Sequence, residues 1–143
     1  MIQSLEELVV PGRVLRLFCS FTDPPKEKFV VIVATNPFCL GFLINSSPTE
    51  LQKAKKHLSD ELIRISKADG YEFLTNPQPS VLDCTLAADF RSGRDGGAAY
   101  AGLIAGNGLH HRRDTRAIIA VVKKSMTLEG GIAKIIIRNL AGS

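Results

Sequence analysis

Between Arg13 and Cys84 the chain runs apolar for a few residues at a time and is then stopped by proline or glycine. Arg13 to Phe21 alternates, with Val14, Leu15, Leu17, Cys19 and Phe21 apolar and Arg13, Arg16 and Ser20 among them. That period of two predicts a strand. Phe29 to Ala34 is a continuous, largely β-branched run, the pattern of a buried strand. Leu40 to Asn45, Glu61 to Ser66 and Ser80 to Cys84 predict three more. Pro11-Gly12, Pro24-Pro25, Thr35-Asn36-Pro37, Asp69-Gly70 and Thr75 to Pro79 punctuate them, since proline cannot continue a ladder. Short strands parted by such loops predict a small antiparallel barrel. The longest apolar runs are about six residues, far from the roughly 18 of a membrane span.

Helices are signalled by caps. Ser47-Pro48-Thr49-Glu50 reads as a capping box, with Ser47 at N-cap, Pro48 at N1 and Glu50 at N3, and predicts an inserted helix over 48–57. Asp114 is the expected cap of a helix to about Ser125, with Ile118, Ile119, Val121 and Val122 as its buried stripe. Thr127 is the expected cap of another, carrying Leu128, Ile132, Ile135, Ile136 and Leu140. From Arg91 to Gly108 there are six glycines, which predicts a loop with one ordered piece near Tyr100 to Ile104. The glycine spacing fits no phosphate-binding loop. The expected fold is α+β: a barrel over residues 1–90 with one inserted helix, and a Gly-rich loop and basic helical pair over 91–143, packed on it as one domain.

A chain of 143 residues with 45% apolar and 22% charged residues can bury a core without staples. Cys19, Cys39 and Cys84 cannot all pair, none stands at CxxC spacing, and His57, His110 and His111 lie far from them. No metal site and no cofactor are expected, and the thiols read as small buried hydrophobes in a reducing compartment. With an acidic start, Met1 to Glu7, that places the protein in the cytoplasm.

Charge is uneven. From His110 onward seven Lys/Arg stand against two acids, whereas the rest of the chain is nearly balanced. The asymmetry points to an anionic partner, nucleic acid or an acidic protein. His110, His111, Arg112, Arg113, Arg116, Lys123 and Lys124 are the candidate phosphate contacts. Arg112, Arg113 and Arg116 would lie at a helix start, where the dipole also favours an anion.

Gly12-Arg13-Val14 opening a strand, Lys26 to Val33 as the second and Phe42-Leu43-Ile44-Asn45-Ser46 as the third resemble the start of the PemK/MazF-like toxins. Phe42 to Ser46, then Phe73-Leu74, then Ser80-Val81-Leu82-Asp83-Cys84 are similar to a divergent toxin-like group of phages and mobile elements. The resemblance covers roughly residues 10–86. It implies an SH3-like barrel, a homodimer, metal-independent endoribonuclease activity and an acidic antitoxin as partner. These toxins use an arginine before the second strand, where this chain has Lys26, Glu27 and Lys28. Lys28 is thus the implied catalytic cation and Lys26 a nucleic-acid contact, though lysine lacks the bidentate fork. Their hydroxyl at the end of the third strand falls on Ser46 or Ser47. Ser46 is preferred, because Ser47 is read as a helix cap. The alternative is a non-catalytic binding module, an inhibitor or regulator acting through the basic tail.

Overall fold

In the computed structural model residues 10–19, 24, 26–67, 71, 74, 78–89, 98–103 and 112–142 are described. Among these residues the strands are β1 (Val14–Cys19), β2 (Lys26–Ala34), β3 (Leu40–Asn45), β4 (Leu62–Ile65), β5 (Ser80–Asp83), β6 (Ala88–Asp89) and β7 (Ala98–Leu103). The helices are α1 (Glu50–Ala54), α2 (Lys56–Ser59), α3 (Arg112–Lys123) and α4 (Gly130–Ala141). All pairings are antiparallel, in the order β4-β5-β3-β2-β1-β7, with β6 against the start of β3. Among the described residues no pairing joins β4 to β7. Register shifts between Ile32 and Ala34, and between Arg16 and Leu17, bend the sheet at its centre.

The chain enters through a turn that needs glycine. Arg13 N donates to Val10 O at 3.1 Å, with Pro11 and Gly12 between, and Gly12 has φ 91°. This is a type II turn, in which glycine takes the left-handed position without strain. Gly12 N then donates to Ile32 O at 2.7 Å, so the turn is sewn to β2 before β1 begins.

Alternation divides the sheet into two faces. Val14, Val31, Val33, Phe42, Ile44, Ile65 and Leu82 are buried on the first, together with Ile118 and Val122 of α3 and Ile136 and Leu140 of α4. Leu15, Cys19, Val30 and Ile32 form a smaller buried cluster on the second. Ile132 and Ile135 also pack against the first core, so α4 spends its apolar stripe within the chain.

Two polar anchors hold the helical pair. Asn139 of α4 accepts from Thr35 N at 3.0 Å and Asn36 N at 3.2 Å, and donates to Asn36 O and Ile135 O, both at 2.8 Å. Glu61, only 4% exposed, accepts from Ser125 Oγ, from Met126 N at 3.0 Å and from Thr127 Oγ1, the loop between α3 and α4.

Three caps fall elsewhere than expected. The inserted helix is capped by Thr49, with Gln52 at N3 completing the box, so Ser47 and Pro48 precede it and it breaks at Lys55 into α1 and α2. Gln52 wins because it serves two partners: its Oε1 accepts from Thr49 N, and its Nε2 donates to Asp83 at 2.9 Å. Helix α3 begins at Arg112, leaving Asp114 inside it. Helix α4 starts after Glu129, since the Thr127 hydroxyl is taken by Glu61. Among the described residues no helix is long and apolar enough to cross a membrane.

Candidate functional site

The starting end of β2 carries alternating polar residues, and the pleat sorts them. Phe29 packs with the first core and Val30 with the second, so Lys28 and Lys26 share the second face. Glu27 goes to the first face, 3.6 Å from Arg16 of β1. Phe29 opposes Ile44 on β3, which sets Lys28 opposite Asn45. Lys28 Nζ donates to Asn45 Oδ1 at 2.6 Å. Ser46 follows at once, exposed in the bend that ends β3. Lys26 is exposed one pleat away, opposite Cys19.

Lys28 is not an edge lysine, because β2 lies between β1 and β3 and the side chain is half-buried. Burial holds its ammonium below the ordinary lysine range, the nearby Lys26 charge adds to this, and Cys19 acts weakly the other way. Its amine is aimed by Asn45 and keeps two further N–H donors, while the Asn45 amide keeps its own. Cation and amide thus meet at one end of the sheet, with Ser46 the next residue of the chain, and both are donors suited to phosphate oxygens.

The other candidates lie apart. Arg116, Lys123 and Lys124 are exposed on or just after α3, whose Ile118 and Val122 are buried on the first face. Arg116 and Lys123 are seven residues apart, about 10 Å of helical rise, and form one basic stripe. The helical pair covers the face opposite Lys28, so the stripe and the Lys28 cluster are separate surfaces. Arg112 and Arg113 open α3; His110 and His111 lie outside the described residues.

Asp83 and Cys84 are structural. The Asp83 carboxylate accepts from Gln52 Nε2, Thr85 N and Thr85 Oγ1, which ties the end of β5 to α1 and to the loop that follows. The Cys84 thiol is buried, and burial, with Asp83 and Glu61 adding, pushes its ionisation far above the ordinary range. Cys19 is also raised by burial. Among the described residues no cluster of His, Cys, Asp and Glu could hold a metal ion.

Two residues that sequence reasoning passed over enter the site. Asn45 reads as the last residue of an apolar strand, and only the register shows it facing Lys28. Arg64 reads as the outward residue of β4, yet it opposes Val81, which opposes Asn45. A cleft of about 230 Å³ opens there, lined by Pro48, Lys53, Ser59, Leu62, Arg64 and Val81. A second cleft, about 440 Å³, is lined by His57, Asp60 and Glu61 on one side and by Ala120, Val121, Lys124 and Met126 on the other.

No family model, curated protein or solved structure matches this chain.

Proposed function

We propose that the protein is a PemK/MazF-like toxin-type endoribonuclease whose phosphate site is Lys28, Asn45 and Ser46. The observation that carries this reading is the Lys28–Asn45 hydrogen bond at the end of β3, with Ser46 following in the chain. In RNA cleavage the 2′-hydroxyl loses its proton to a solvent base as its oxygen attacks the adjacent phosphorus, a 2′,3′-cyclic phosphate forms, and the P–O5′ bond breaks with a proton passing to the 5′-oxygen. Charge gathers on the non-bridging oxygens in the transition state, where a pre-aimed ammonium and a hydroxyl act most strongly. A lysine held below its ordinary range also gives up a proton more readily to the leaving oxygen. The antiparallel sheet, bent by its two register shifts, is read as an SH3-like barrel with the helical pair on one side. In this reading the protein works in the cytoplasm without metal or cofactor, as a homodimer restrained by an acidic antitoxin.

The test is induction in bacteria with RNA integrity read on a gel, then cleavage by purified protein in excess chelator. Degradation by wild type that is lost in both Lys28→Ala and Ser46→Ala is expected. Intact RNA on induction of wild type would overturn the assignment.

A second reading is supported by the isolation of the α3 stripe. A non-catalytic module would bind nucleic acid or an acidic protein through Arg116, Lys123 and Lys124 and be indifferent to changes at Lys28.

A further inference from the structure

Arg64 stands on the same cross-strand row as Lys28. Ile63 and Ile65 face the first core, so Leu62 and Arg64 face the second side with Val81 and Asn45. The row reads Arg64, Val81, Asn45, Lys28, three strand spacings or about 14 Å from end to end. Val81 between them is buried and offers no charge. Arg64 is exposed on the wall of the 230 Å³ cleft and makes no ion pair among the described residues. Lys53, from α1, lines the same cleft, and its one partner there, Glu50, is exposed at 3.3 Å, a pairing that solvent weakens.

Resting on the reading of the Lys28 cluster as a phosphate site, we propose that Arg64 is a second phosphate contact. Together they form a track for single-stranded RNA, one phosphate at Lys28 and a flanking one at Arg64. With the two backbones about 14 Å apart on this row, a strand with several phosphates can engage both side chains at once. A guanidinium grips two oxygens of one phosphate in a fixed geometry, which the lysine cannot do. Arg64 therefore sets the register of the strand over Lys28, and acts as a binding rather than a catalytic residue.

Binding of labelled single-stranded RNA of six nucleotides and of a dinucleotide is measured by anisotropy across a salt series, for wild type, Arg64→Gln, Arg64→Lys and Lys28→Ala. Matching urea midpoints establish that each variant is folded. Arg64→Gln is expected to weaken the hexamer about tenfold. The slope of log affinity against log salt should fall by about 0.7. The dinucleotide, which reaches only Lys28, should be unaffected, and Arg64→Lys should restore the salt slope but only part of the affinity. Wild-type hexamer affinity and slope in Arg64→Gln, with Lys28→Ala weakened, overturn the Arg64 assignment alone. Absence of RNA binding by wild type at low salt overturns both assignments. Binding of polyaspartate that depends on Arg64, without binding of RNA, overturns both in favour of an acidic protein.

Discussion

Lys28 and Asn45 face each other across β2 and β3, and the 2.6 Å bond between them fixes where the amine can point. Asn45→Asp would put a carboxylate where the amide oxygen now sits. That neutralises the ammonium toward phosphate, so RNA affinity and cleavage should fall about tenfold or more, further than in Asn45→Ala. Side-by-side kinetics of the two variants check this.

The same lysine gives a pH dependence. Its protonated form holds phosphate, and its ionisation lies below the ordinary lysine value of about 10.4. As pH rises, wild-type affinity should therefore decline before an ordinary lysine deprotonates. Lys28→Arg, charged throughout, should hold its affinity over that window. An affinity series up to pH 10.5, with circular dichroism as a check on folding, reads the difference.

Glu61 joins the start of β4 to the loop between the last two helices. Glu61→Ala leaves three donors without their acceptor and should cost about 2–3 kcal/mol in urea unfolding. Glu61→Gln keeps one carbonyl oxygen and should cost about half as much. Faster amide exchange at Met126 in both variants would mark the loop as the part released.

Cys84 predicts an alkaline loss of stability. Its folded-state ionisation is raised, so the folded protein keeps this proton after the unfolded chain begins to lose its own near pH 8.5. Stability falls as pH rises from there, by at most about 1.4 kcal/mol per pH unit for one thiol. Cys84→Ala should flatten that slope. In the native protein Cys39, partly exposed, should react first with a thiol reagent, ahead of buried Cys19 and Cys84.

The separation of the two cationic surfaces predicts separable effects. Reversing Lys123 and Lys124 to Glu should weaken RNA binding evenly across sequences and flatten the salt slope. The cleavage rate at saturating RNA should be unchanged. Lys28→Ala should instead lower the cleavage rate at saturating RNA, beyond any loss of affinity.

Strands were readable where one residue type carried the pattern. Leu40 to Asn45 and Ser80 to Asp83 match their apolar runs almost residue for residue. Strand β7 reads only as an ordered piece near Tyr100 to Ile104, because Ala98 to Leu103 is mostly Ala and Gly, weak strand formers held by pairing to β1. Strand β6, two residues long, is too short to carry a pattern. Caps misled for a different reason. Ser47, Thr49 and Thr127 all satisfy the local rule, and contacts tens of residues away decide among them: Asp83 for Gln52, Glu61 for Thr127. Lys28 and Ser46 follow from the resemblance, but the bond from Lys28 to Asn45 depends on strand register, which no single segment encodes.

Asn139 binds the Thr35–Asn36 turn with both the oxygen and the nitrogen of its side-chain amide, 103 and 104 residues after that turn in the chain. During synthesis the strands β1 to β5 leave the ribosome long before α4 does. Until residue 139 emerges, the first face of the sheet lacks the part of its cover that α4 supplies, and the turn amides lack their Asn139 partner. Burial of the first face is thus complete only once α4 has been made and docked.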